Sequence, residues 1–181
     1  MKKKITLLLS LALAVAIGIG GTLAWLTAKT DAVTNTFTVG NINIALEETT
    51  TDYKMVPGQP IDKDPKVTVE AGSEACWLFV KIEKSDNLDD FISYAVDLSE
   101  DSWKELSGVP GVYYRAVDAT TTDMDYPVLT GNQVTVKDTV TKAMMDEITA
   151  QTAPTLTFTA YAVQKDGVGT AAEAWNKILT A

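Results

Sequence analysis

The chain has 181 residues, 46% of them hydrophobic, and a formal charge of −9. That is enough apolar sequence for one domain with a core, while the acidic balance repels phosphate backbones and excludes nucleic acid as a partner. There is no histidine and a single cysteine, Cys76. Ser-His-Asp and Cys-His catalysis, an HExxH zinc site and an intramolecular disulfide are therefore excluded.

Lys2, Lys3 and Lys4 form a basic head, residues 5–19 are mostly apolar, and Gly20, Gly21, Thr22 and Ala24 are small. This is the layout of a secretory signal peptide spanning 1–24, with cleavage between Ala24 and Trp25. Loss of the three lysines takes the charge from −9 to −12. The competing reading is a retained helix over 5–28, where no residue is charged and about 20 apolar residues suffice to span a bilayer. Glycines at 18, 20 and 21 favour an extended cleavage site over that helix. Either way the bulk of the chain lies outside the membrane, secreted to the extracellular matrix or held at the cell surface.

Past this block, residues 25–33 form an N-terminal extension and 34–181 a single domain. Residues 34–39 alternate polar and apolar, and Ile42, Ile44 and Leu46 alternate in the opposite phase. The slip falls at Gly40-Asn41 and calls for a bulge or tight bend. Residues 48–64 read as a polar loop with a turn at Pro57-Gly58, and 66–70 as a short strand. Residues 76–83 give the clearest core strand, with Cys76, Leu78, Val80 and Ile82 on one face. Residues 85–90 read as an acidic loop, and 91–98 with 103–106 as a hairpin. A strand is expected over 112–117, an extended piece over 126–129, and a turn at Gly131-Asn132 before 133–136. A helical period appears over 141–149, a long strand over 155–164 and a closing helix over 170–178. Eight to ten short strands with two minor helices predict an all-β, jelly-roll-like antiparallel β-sandwich.

The N-terminal block followed by GTLAWLTAKTDAVTNTFTVGNINIAL resembles the TasA/camelysin family of exported Gram-positive proteins. Looser likeness continues through VPGQP at 56–60, the 76–83 strand, VYYR at 112–115, and AYAVQ at 160–164 with Trp175. The resemblance implies a jelly-roll sandwich, processing by a SipW-type signal peptidase, and a structural, non-enzymatic role in biofilm-matrix fibres. It also implies that the mature N-terminal segment of one subunit adds as a strand to the next, giving a homo-oligomeric filament or a filament with a related matrix subunit. Carried onto this chain, the donor strand is Trp25, Leu26, Ala28 and Val33 with the residues between them. The alternatives are a camelysin-like metallo-endopeptidase and a membrane-anchored surface-binding module. The first would have to bind zinc without histidine.

No catalytic residue, cofactor or metal is expected. Asp86, Asp89 and Asp90, and Asp118, Asp123 and Asp125, form two acidic groups that lack EF-hand spacing and read as solvated surface. Trp77, Phe79, Trp103, Tyr113 and Tyr114 read as packing aromatics rather than a sugar platform. Cys76, on an apolar strand face, reads as an inert small hydrophobe.

Overall fold

The computed structural model describes residues 40–49 and 53–180, which fall within one compact unit, Val39–Ala181. Ten strands and three helices are found among them. The strands are β1 (Ile44–Glu47), β2 (Pro60–Asp62), β3 (Lys66–Val69), β4 (Cys76–Lys84), β5 (Ile92–Val96), β6 (Lys104–Glu105), β7 (Val112–Val117), β8 (Met124–Pro127), β9 (Leu129–Val136) and β10 (Leu156–Gln164). The helices are α1 (Leu88–Phe91), α2 (Lys142–Asp146) and α3 (Ala171–Thr180). All strand pairings are antiparallel, in three sheets ordered β1-β3-β8, β10-β4-β7-β6 and β2-β9-β5. This is the expected all-β, sandwich-like architecture with short helices. Among the described residues, no helix is long and apolar enough to cross a membrane.

The alternation of β4 organises the layers. Cys76, Leu78, Val80 and Ile82 point inward and join Val67 and Val69 of β3 in the main core. Phe79 points the other way and is equally buried, because Trp175 of α3 lies 5.3 Å from it, ring to ring. The four-stranded sheet is therefore covered on both faces, by the β1-β3-β8 sheet on one and by α3 on the other. A second apolar cluster, including Leu88, Ile92, Val134 and Val136, lies under the β2-β9-β5 sheet and meets Leu156 and Phe158 of β10. Gly111 joins β7 to its neighbours at a place where a side chain would not fit. Its φ is +75°, and an added Cβ would stand 2.7 Å from the Ile82 carbonyl oxygen.

Four expectations need correction. The 48–64 loop contains β2, whose Ile61 pairs opposite Val134 of β9. The acidic loop at 85–90 gives way to α1, which buries Leu88 and Phe91. The segments read as a hairpin do not pair: β5 joins β9 and β6 joins β7, and a backbone bond from the Trp103 N–H to the Asp97 carbonyl is what links the two stretches. Gly131 and Asn132, both at positive φ, do not end a strand. They sit inside β9, where the register against β5 shifts between Tyr94, opposite Val134, and Val96, opposite Leu129. That irregularity accommodates the left-handed residues without breaking the strand.

Candidate functional site

A β-sandwich subunit that accepts a strand must offer an open sheet edge. Among the described residues, five of the six sheet edges are short or blunted. Strand β6 has two residues, both charged; β2 has three and begins with Pro60; β8 has four, including Asp125 and Pro127. Strand β1 has four, and β5 has five with a broken register. Short length, charge, proline and irregularity all discourage further pairing. Strand β10 carries none of these. It has nine residues, LTFTAYAVQ, with no charge, proline or glycine.

The hydrogen bonds at its two ends fix which backbone groups face outward. The Ser85 N–H donates to the Thr155 carbonyl at 3.0 Å, and the Lys165 N–H to the Ala75 carbonyl at 2.8 Å, both in register with the β10–β4 ladder. In an antiparallel ladder the bonding residues alternate. Odd-numbered residues of β10 therefore bond to β4, and Leu156, Phe158, Ala160, Ala162 and Gln164 turn their N–H and C=O groups outward. Among the described residues these groups have no hydrogen-bond partner.

The side chains agree. Leu156, Phe158, Ala160 and Ala162 point into the sandwich yet are only half-buried. Opposite them on β4, Leu78 and Val80 are 0% exposed and Ile82 6%. Strand β1 of the facing sheet approaches β10 without pairing with it, so a seam stays open between the layers. At the Leu156 end of β10, under the β2-β9-β5 sheet, lies a cavity of about 530 Å³ lined by Tyr53, Met55, Ile61, Lys63, Ile148 and Leu156.

One wall of that cavity is tied by a largely buried ion pair. Lys63 is 8% exposed, and its Nζ contacts Glu48 Oε1, which also accepts a 2.7 Å bond from the Tyr53 hydroxyl. The ammonium lies 4.9 Å from the Tyr53 ring centre and 5.4 Å from that of Phe158 on β10. Burial, and then the Glu48 carboxylate, hold the Tyr53 phenol protonated well above its ordinary range.

Several of the other residues singled out in the sequence have structural partners. Asp125 contacts Lys66 at 2.9 Å and Thr68 at 2.7 Å, which lowers its carboxyl pKa; Asp123 accepts from the Ala71 N–H; Asp118 lies 3.5 Å from Lys165. Asp89 is paired with Lys84, and that bond likewise lowers its carboxyl pKa. Among the described residues, no three His, Cys, Asp or Glu side chains are placed to hold a metal ion. Trp77, Phe79 and Tyr114 pack with one another beneath α3, and Trp103 is buried with its indole N–H on the Pro127 carbonyl. Arg115 stacks on Tyr126 at 3.9 Å.

Cys76 is fully buried, and burial pushes its thiol up to about 11. A thiol needs to be ionised and reachable to react. At pH 8 the folded protein should therefore react with iodoacetamide at least about a hundredfold more slowly than the same protein in denaturant. Equal rates, read by mass spectrometry, would contradict the burial.

Ala24, Trp25, Leu26, Ala28 and Val33 lie outside the described residues, as does the expected 34–39 strand. What sequence reading missed is the open edge of β10. The alternation of 155–164 marked a strand, and its lack of charge and proline was visible, but which side of it stays unpaired is decided by the fold. No family model, curated protein or solved structure matches the chain.

Proposed function

We propose that this chain is a secreted, non-enzymatic structural subunit of an extracellular biofilm-matrix fibre, assembled by adding the 25–33 segment of one copy to the next. The observation that supports this reading is the outer edge of β10: nine residues, uncharged, with outward backbone groups that have no partner among the described residues, and half-buried core side chains. An incoming strand would satisfy those groups and close the seam. Because donor and acceptor are different parts of the surface, addition runs head to tail and yields filaments rather than closed dimers. The resemblance to the TasA/camelysin family points the same way, with a SipW-type peptidase releasing the segment at Trp25.

Electron microscopy of the secreted protein should show filaments, and its mature N-terminus should be Trp25. Deletion of 25–33 should leave folded monomers. Filaments of unchanged form from the deletion variant would sink the strand-addition mechanism. An uncleaved N-terminus on the extracellular form would favour the membrane-anchored alternative.

A further inference from the structure

We propose that the 25–33 segment of a second copy seats on β10 with its even-numbered residues, Leu26, Ala28, Thr30 and Ala32, turned into the seam and its odd-numbered residues turned away. This rests on the strand-addition reading above and specifies how the partner is recognised.

The acceptor sets the requirement. Residues standing opposite one another on neighbouring strands share a face. The inward residues of β10 are Leu156, Phe158, Ala160 and Ala162. They leave an apolar, half-covered seam that the facing β1 approaches, and a cavity bounded by Ile61 and Ile148 lies at the Leu156 end of the strand. An incoming residue on that face is removed from water, so it must be uncharged, and where β1 comes near it must also be small.

The segment WLTAKTDAV has two faces in an extended strand. The odd face carries Trp25, Thr27, Lys29, Asp31 and Val33, and would bring an ammonium and a carboxylate into the seam. The cost of stripping water from both groups falls on that arrangement. The even face carries Leu26, Ala28, Thr30 and Ala32, with no charge, one larger apolar residue and three small ones. Its length also matches, since segment and edge are nine residues each.

The outward side is equally well suited to the odd face. Thr157, Thr159, Tyr161 and Val163 of β10 lie on the α3 side of the sheet, and Tyr161 and Val163 pack only partly against that layer. Trp25 and Val33, at the two ends of the odd face, extend this half-covered apolar surface, while Lys29 and Asp31 stay in solvent. The largest residue of the segment therefore covers the sheet from outside rather than plugging the seam.

The test uses the full chain, secreted and recovered, with the mature N-terminus and thermal melt of each variant checked. Ala28→Lys and Ala32→Lys place a charge on the even face; Thr27→Lys places the same charge on the odd face. The even-face variants should lower the sedimentable filament yield at least tenfold, and Thr27→Lys should change it less than twofold. The face assignment is overturned if Thr27→Lys blocks filaments while Ala28→Lys does not, or if the two behave alike. Deletion of 25–33 separates the two levels. Filaments that persist without the segment refute strand addition itself. Filaments lost on deletion but indifferent to the face of the lysine refute only the orientation.

Discussion

The Ala160→Pro variant is expected to fold with near wild-type stability and to make no filaments. The reason is the direction of a single N–H. At even positions of β10 the backbone turns away from β4, so proline at 160 removes no bond from the β10–β4 ladder. It does remove a donor from the middle of the outer edge, and its ring obstructs a strand arriving there. The matched control is Thr159→Pro, one residue away. Thr159 stands opposite Lys81 in the bonded phase of the ladder, so proline there deletes a bond and leaves the Lys81 carbonyl unpaired. That variant should lose about 3 kcal/mol of stability, whereas Ala160→Pro should lose about 1, from the restricted φ alone. Denaturant melts and electron microscopy read the two effects separately. If Ala160→Pro assembles normally, β10 is not the acceptor edge and the proposed fibre contact must be sought elsewhere.

That contrast depends on a phase no reading of the sequence could supply. The run LTFTAYAVQ shows which side chains share a face, but not which backbone groups meet β4. Where a strand is long and alternates strictly, its limits were legible: β4, β7 and β10 begin and end within a residue of expectation, and the buried set on β4 follows from period two alone. Short elements were not. Strand β2 has three residues and opens on Pro60, so its membership in a sheet comes from β9 rather than from its own composition. Helix α1 is a single turn, too short to display a helical period, and its Asp89 and Asp90 disguise it as a loop. Helix α2 was found because Met144 and Met145 recur with Ile148 at helical spacing, and the structure adds a cap, with Thr141 accepting from the Met144 N–H.

Pairing was the least legible level. Strands β5 and β6 are separated by residues 97–103, whose Ser99-Glu100-Asp101 invites a hairpin, yet each finds its partner elsewhere. Local pattern sets a strand's faces, while the choice of partner is settled by how whole layers cover one another. The proposed assembly carries this one step further. Among the described residues, Leu156, Phe158, Ala160 and Ala162 are left half-buried at the outer edge of β10.

The Glu48→Ala variant should be the most destabilised of the single polar substitutions, by about 3–5 kcal/mol, because it strands a buried charge. The Lys63 side chain is 10% exposed with Glu48, at 18%, as its ion-pair partner, and the rings of Tyr53 and Phe158 beside it attract a cation but do not replace a carboxylate. Against a typical total of about 5–15 kcal/mol, that loss leaves a marginal fold. The double variant Glu48→Gln/Lys63→Met should recover most of it. Methionine keeps the length of the lysine stem, and the new amide oxygen can still accept from the Tyr53 hydroxyl, so no buried charge is left uncompensated. Non-additivity is thus the signature: the double variant should be more stable than Glu48→Gln alone, and than Glu48→Ala, by at least about 2 kcal/mol in urea melts. A double variant as unstable as Glu48→Ala would mean that the pair contributes through packing, not charge. The position of the pair gives the result a second consequence. Lys63 and Tyr53 form a wall of the cavity beside Leu156. The double variant, folded but without the ion pair, should bind the incoming segment less tightly if the pair holds that wall in place, and a raised critical concentration for filament growth is the measurement that reads it.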